Sequence, residues 1–284
     1  MMLRLLSRLP LTLLYPLAAA LTWLACRVFG YRQEVTADNL RQAFPELDAA
    51  GHRALQRASE RQLGEVAAEV LKGLTLPRAE IVERVAIDGL EALDPELAAG
   101  RSVLIATAHC ANWEWLLLGV SARLSVPLVA LYKPIKTAAA DRFFRALRGR
   151  FGAELVPAKD VVAELAKPVA RPRVYAMVAD QVPTSTPHRY WTRFLGRDTA
   201  FYQGIDDIAR ARGLVVYVLL AERVARGRYR ARLTEIARPP YGPLPPREIV
   251  RRYVTALEAH LRGHPADWLW GHRRWKLKKP LYGR

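Results

Sequence analysis

The feature that most narrows the possible folds is an abrupt change at residue 109. Val103-Leu104-Ile105-Ala106-Thr107-Ala108 is apolar or β-branched throughout, which suits a strand buried on both faces. The next six residues, His109-Cys110-Ala111-Asn112-Trp113-Glu114, bring an imidazole, an amide and a carboxylate together. A buried strand that ends in polar side chains is where an α/β protein presents reactive groups to a ligand. Similar runs recur at 127–132, 173–179 and 214–220, separated by helical patterns at 112–124, 138–151 and 203–211. This alternation predicts an α/β fold: a single catalytic domain with a central mixed or largely parallel sheet flanked by helices.

A chain of 284 residues that is 51% hydrophobic can bury one substantial core. Ahead of it, residues 9–26 carry no charged side chain. As a helix they would measure about 27 Å, close to a bilayer's hydrocarbon thickness of about 30 Å. Arg4 and Arg8 precede the stretch, and Arg27 and Arg32 follow it. We expect a membrane anchor or deeply inserted helix. A cleaved export signal and a buried core helix are the competing readings, and Leu21, Trp23, Leu24 and Cys26 continue the apolar run past Ala18-Ala19-Ala20, where cleavage would fall. The expected division is residues 1–30 as anchor and 31–284 as catalytic domain. Residues 33–99 read mostly as covering helices, with Asp38 opening one segment and residues 49–74 forming another. Val85-Ala86-Ile87 before Asp88-Gly89 reads as a short strand and turn.

Lys and Arg number 44 against 27 Asp and Glu, a formal charge of +17. Acidic partners follow: phosphorylated lipids, an anionic membrane, an acidic carrier protein or nucleic acid. Two cysteines, Cys26 and Cys110, give no disulfide framework.

The polar switch offers general base chemistry. Five positions on one regular helix turn two side chains about 140° apart. His109 and Glu114 therefore meet only if the histidine ends the strand and the carboxylate lies in the first turn of the next helix. Imidazole would then take the proton of a hydroxyl attacking a carbonyl, with the carboxylate fixing its tautomer. The competing reading is a structural histidine beside an ordinary helix-start glutamate.

His109-Cys110-Ala111-Asn112-Trp113-Glu114 matches an H-x-x-N-W-E signature. It is followed in order by Tyr132-Lys133-Pro134, Arg148-Gly149-Arg150, Asp180-Gln181, Phe194-Leu195-Gly196, residues 199–204 and Trp268-Leu269-Trp270-Gly271-His272-Arg273-Arg274-Trp275-Lys276. With these motifs the chain resembles the lipid A late acyltransferases, lauroyl and myristoyl transferases within the lysophospholipid acyltransferase superfamily, over roughly residues 5 to 280. The resemblance implies an O-acyltransferase that moves a fatty acyl group from acyl carrier protein to a hydroxyl of a lipid A precursor, in lipopolysaccharide biosynthesis. It implies His109 and Glu114 as the catalytic dyad, and Asn112 and Trp113 as shaping the turn. Arg148, Arg150, Asp180 and Gln181 would line or stabilise the polar site. It implies no metal or redox cofactor, a bacterial inner-membrane location with one N-terminal anchor, and a catalytic domain on the cytoplasmic face. The partners would be acyl carrier protein, a phosphorylated glycolipid acceptor and the anionic membrane.

The residues add their own weight. Lys133, after an apolar strand, either meets an acceptor phosphate or marks where that strand reaches solvent; Arg148 and Arg150 are head-group candidates or a solvated helix face. Asp180 stands at another strand end, with Gln181 beside it able to donate and accept. The pair orients substrate or forms a loop network. Gly196 and Gly204 frame a segment with Phe201 and Tyr202, which leaves acyl length and acceptor open. Cys110 reads as a buried thiol rather than a nucleophile. From Trp268 to the C-terminus, Arg273, Arg274, Lys276, Lys278, Lys279 and Arg284 alternate with Trp268, Trp270, Trp275 and Tyr282, which suits a membrane interface and phosphorylated glycolipids. Nucleic acid is not expected, because no recognised module accompanies the patch. The alternatives are an acyltransferase for another glycolipid or a lysophospholipid, and a non-catalytic protein that binds anionic membranes.

Overall fold

The computed structural model describes residues 2–167, 170–183 and 189–279. The chain begins with α1 (Met2–Leu6), α2 (Leu11–Trp23) prolonged by a π-helical turn (Leu24–Val28), α3 (Gln33–Ala43), α4 (Ala49–Lys72) and α5 (Arg78–Arg84). Asp38 lies inside α3 rather than opening a segment. Asp48 caps α4, its side chain accepting from the Gly51 amide at 2.7 Å. Then come β1 (Val85–Asp88), α6 (Asp94–Ala98), β2 (Val103–Thr107), α7 (Trp113–Ser121), β3 (Leu128–Tyr132), α8 (Ala138–Arg148), β4 (Glu154–Pro157), α9 (Val161–Ala166) and β5 (Val174–Val178). The hairpin β6 (Arg189–Phe194) and β7 (Arg197–Tyr202), α10 (Gly204–Arg212), β8 (Val215–Ala225), β9 (Arg228–Ala237) and α11 (Glu248–Gly263) complete it.

Seven strands form one mixed sheet in the order β1-β9-β8-β2-β5-β3-β4. All neighbours are parallel except β8 and β9. The four strands expected from apolar runs are the central β2, β3, β5 and β8, whose burial on both faces makes them continuous hydrophobic words. The expected β1 is there too. Strand β9 was not foreseen. Its signal is a period-2 alternation in which Tyr229, Ala231 and Leu233 point into the core between the exposed Arg228, Arg230 and Arg232. Gly227, at φ +68°, turns the chain between β8 and β9. Nor were β4 and the β6–β7 hairpin anticipated, since neither carries an apolar run.

Alternate side chains of the sheet serve two cores. Leu104, Ala106, Tyr175, Met177, Val216 and Val218 pack with α3, α10, α11 and Trp268 and Trp270. Val103, Ile105, Val174, Val215, Tyr217 and Leu219 pack on the other face with α5 and α7. Trp268 and Trp270 are 4% and 1% exposed, and Arg274 is 2% exposed. The expectation that this aromatic and basic segment faces a membrane is therefore corrected for these residues: the indoles are large apolar bodies that fill the core. Trp275 is only partly buried, its indole Nε1–H donating to Thr199 Oγ1 at 2.7 Å. Tyr282 and Arg284 lie outside the described residues.

Within Leu11–Val28 the helix is long and apolar enough to cross a membrane, the single such stretch among the described residues. It is the apolar N-terminal helix expected of an anchor. It also packs along α4, with Tyr15 Oη donating to Glu69 Oε1 at 3.0 Å.

Candidate active site

Register brings the site together. Thr107 on β2 stands beside Val178 on β5 in a parallel pair, so the residues two positions on, His109 and Asp180, leave adjacent strand ends together. His109 Nδ1 lies 2.7 Å from Asp180 Oδ1. The His109 amide donates to Asp180 Oδ2 at 3.1 Å, and Trp268 Nε1 donates to the same oxygen at 2.6 Å. Asp180 is 2% exposed. Burial alone would raise its pKa, but His109 and these hydrogen bonds outweigh burial and hold it at about 2. An ionised carboxylate only accepts, so Nδ1 carries a proton, and in the neutral ring Nε2 is then the nitrogen with the lone pair. The Gln181 amide Nε2 faces that lone pair at 3.2 Å.

The expected contact between Glu114 and the imidazole is not made. Arg148 binds both Glu114 oxygens, Nη2 to Oε1 at 2.6 Å and Nε to Oε2 at 2.9 Å, and Trp113 Nε1 donates to Oε1 at 3.1 Å. The arrangement that the spacing required is present, with His109 just after β2 and Glu114 in the first turn of α7, and the contact is still not made because each side chain is held by another partner. His109 leaves along the strand direction, whereas Glu114 belongs to the first turn of α7 and points across to α8. Burial would lower the Arg148 pKa, but the carboxylate more than compensates and raises it, so the pair stays charged. Arg148 also lies 5.1 Å over the Phe144 ring.

The turn itself is built by Asn112. Its Oδ1 accepts from the Trp115 amide at 2.9 Å, capping α7, while its Nδ2 donates to buried Glu69 at 2.8 Å. Ala111 adopts φ +51°, a left-handed conformation that costs a residue with a Cβ about 1 kcal/mol or more. The C-terminal segment clamps it there. The Ala111 amide donates to Asp267 O at 2.7 Å, the Leu269 amide donates to His109 O at 3.2 Å, and Cys110 bridges to Trp268. Trp113 meets the His109 ring edge to face at 5.0 Å. Cys110 is fully buried, and that burial pushes its thiol well above the ordinary range, as an inert cysteine requires.

His109 opens onto a cavity of about 430 Å³. Trp113, Glu114, Lys133, Arg148 and Gln181 stand around its polar part, and its depth is apolar. Ala130, Ala176 and Ile105 lie side by side on β3, β5 and β2, so two alanines form a trough in the sheet beneath α7. Thr107 also lines it, and its buried Oγ1 has no hydrogen-bond partner. A smaller cavity of about 200 Å³ adjoins on the other side of Trp113 and Leu269, with Arg32 and His272 in its wall. Burial holds the His272 pKa down at about 4. Arg150 is not in either wall. It donates to the Gly73 carbonyl and stacks 4.9 Å over Phe151, so its work is structural. Lys133 is exposed at the rim. Among the described residues no group of three or more His, Cys, Asp or Glu side chains is placed to hold a metal ion.

A family model described as bacterial lipid A biosynthesis acyltransferase matches residues 1–277. The chain belongs to this family. It is an acyltransferase of lipid A biosynthesis, acting between an acyl donor and a lipid acceptor, with membrane anchoring consistent with its apolar N-terminal helix. No curated protein matches closely enough to add a named relative. Two features of this acyltransferase were beyond reach of its sequence words. Asp180 was noted as a strand-end residue, but its pairing with His109 needs β5 beside β2. Glu69, buried beneath Asn112 and Tyr229, had no signal beyond its place on a helix.

Proposed function

We propose that this acyltransferase takes its acyl group from acyl carrier protein and transfers it to a hydroxyl of a phosphorylated lipid A precursor, with His109 as general base and Asp180 as its orienting partner. The observation that carries the proposal is the His109–Asp180 pair standing over an apolar cavity. The acyl chain lies over Ala130 and Ala176 with the thioester carbonyl near His109. The acceptor hydroxyl displaces the Gln181 amide from Nε2, gives Nε2 its proton and forms a carbon–oxygen bond at the carbonyl. The negative charge that develops on the carbonyl oxygen is met by positive potential from the N-terminal turn of α7 and from Arg148. The intermediate then collapses, the carbon–sulfur bond breaks, and the imidazolium proton passes to the leaving thiolate.

Glu114 is a positioning residue in this scheme. Its carboxylate fixes Arg148 at the cavity mouth, which accounts for a glutamate at that place in the motif without contact to the imidazole. The net charge of +17 supports encounter with an acidic carrier protein and an anionic membrane. A carrier-borne donor places the catalytic domain on the cytoplasmic side of the inner membrane.

Kinetics with matched acyl chains on carrier protein and on coenzyme A test the donor. Faster transfer from the carrier protein is expected, with the advantage shrinking as salt rises, because the Debye length falls to about 8 Å near 0.15 M. A clear preference for the coenzyme A thioester would overturn the donor assignment.

A further inference from the structure

We infer that residues 2–31 lie in the plane of a single membrane leaflet, carried there by α4, and do not cross the bilayer; the inference rests on the membrane reading above. The first observation is how the segment packs. Thr75 Oγ1 donates to Ser7 O at 2.6 Å, Lys72 Nζ donates to Leu9 O at 3.1 Å, and Tyr15 donates to Glu69. Thr22 packs so closely against Gly64 that a Cβ there would force the Thr22 side chain to shift. Arg27 Nη2 donates to Glu60 Oε2 at 3.1 Å, and Gln33 Nε2 to Glu60 Oε1 at 2.6 Å. The partners descend from 75 to 60 as the segment ascends from 7 to 33. The apolar helix is therefore fastened antiparallel along α4 from one end to the other.

That fastening decides what can enter the hydrocarbon. Tyr15, inside the apolar helix, carries the exposed Arg226 guanidinium 5.1 Å over its ring, and Arg226 is tied to Glu65 of α4 at 2.7 Å. If the apolar helix stood across the bilayer, this charge would be drawn into the hydrocarbon beside it, where it is strongly unfavourable. In the plane of the interface it stays at the level of the anionic headgroups, where it is favourable.

The exposed face fits the flat orientation. Leu13, Leu17, Leu21, Leu24 and Val28 follow helical spacing and are 40% to 58% exposed, while Leu14 and Cys26 on the opposite face are buried against the protein. Arg4, Arg8, Arg27 and Arg32 bracket the stripe and are all exposed, complementary to anionic lipid at both ends. Beyond the π-helical turn, Gly30 at φ +60° and Arg32 at φ +58° swing the chain into α3, and Cys26, Tyr31 and Arg32 line the smaller cavity beside Trp113. The inserted segment thus forms one wall of a cavity next to the reaction centre. A lipid acceptor in that leaflet reaches the site by lateral movement.

Nitroxide labels on cysteines introduced singly at Leu3, Leu13, Leu21 and Val28 test this with the full chain in phosphatidylethanolamine–phosphatidylglycerol vesicles. All four side chains are exposed, and the native Cys26 and Cys110 are buried. Relative accessibility to oxygen and a nickel chelate reports depth. Four depths agreeing within one helical turn, about 5 Å, are expected. A shallow, deep, deep, shallow profile would overturn the inference, as would failure of the protein to bind vesicles at all. A second readout is protease access to an N-terminal epitope and to the catalytic domain in inverted inner-membrane vesicles. Both cleaved is expected. An epitope protected while the domain is cleaved means a spanning helix and defeats the inference. Both protected leaves the in-plane geometry standing and defeats the cytoplasmic assignment.

Discussion

Replacing Asp180 by Asn separates the two ways of orienting His109. Asp180 accepts from three donors: Nδ1–H of His109 on Oδ1, and the His109 amide and Trp268 Nε1–H on Oδ2. Asparagine offers one oxygen and one NH₂ in place of two acceptors. With its oxygen toward Nδ1, the NH₂ group confronts two buried donors, and each unsatisfied donor costs about 1–3 kcal/mol. With the amide turned, all three pairings survive, but Nδ1 must accept and the proton moves to Nε2. The turned form is therefore favoured by about 2–6 kcal/mol, and at about 1.4 kcal/mol per tenfold the base-competent tautomer is depleted at least about 30-fold. Loss of the negative charge facing the transient imidazolium deepens the defect toward the scale of about 10⁴ seen when a catalytic histidine is held in the wrong tautomer. We expect kcat to fall by about 10² or more in Asp180→Asn, with a cooperative unfolding transition retained because the turned amide keeps the hydrogen bonds. The assays are steady-state acyl transfer and ¹⁵N chemical shifts of the His109 ring. Asp180→Asn activity within fivefold of the parent, together with collapse of activity in Glu114→Gln, would refute the reasoning and restore the dyad expected from sequence.

Arg148→Ala leaves the Glu114 carboxylate, 2% exposed, without its partner, and chemical denaturation should show a loss of about 3–5 kcal/mol. The double variant Glu114→Gln/Arg148→Met should lose less than the sum of the two single changes, and strict additivity would argue against the pair. His272 gives a pH dependence. Its ordinary pKa of 6.5 is depressed to about 4 by burial, so between those values the unfolded chain binds a proton that the folded chain refuses. Stability is then fully present above about pH 6.5 and declines as pH falls toward 4, by no more than about 1.4 kcal/mol per pH unit. His272→Gln should flatten that part of the curve, and an unchanged slope would count against the assignment.

Local sequence determined the central strands, the main helices and the chemical vocabulary, but not β4, β9 or the β6–β7 hairpin. The central strands are continuous apolar words because a parallel strand under helices has no wet face, and the polar residues that end them mark the edge of the sheet where the candidate site lies. Asn112 as a shaper of the turn came through the family resemblance, and the structure supplies the physical reason, a side-chain cap on the Trp115 amide. The motif order carried the family. What only the tertiary structure decided was who meets whom. His109 and Asp180 are 71 positions apart and meet because β5 pairs with β2 in a register that no local pattern encodes. Glu114, five positions from the histidine, is turned away by the helix it starts and finds Arg148, 34 positions on. The same holds for the basic and aromatic C-terminal segment. Composition suggested an interface, but burial depends on what packs around a side chain, and Trp268 and Trp270 are core because the turn after β2 and α3 enclose them. For the N-terminal helix, hydropathy measured how much apolar surface there is. Its direction relative to the catalytic domain was set by contacts with α4, which hydropathy does not contain.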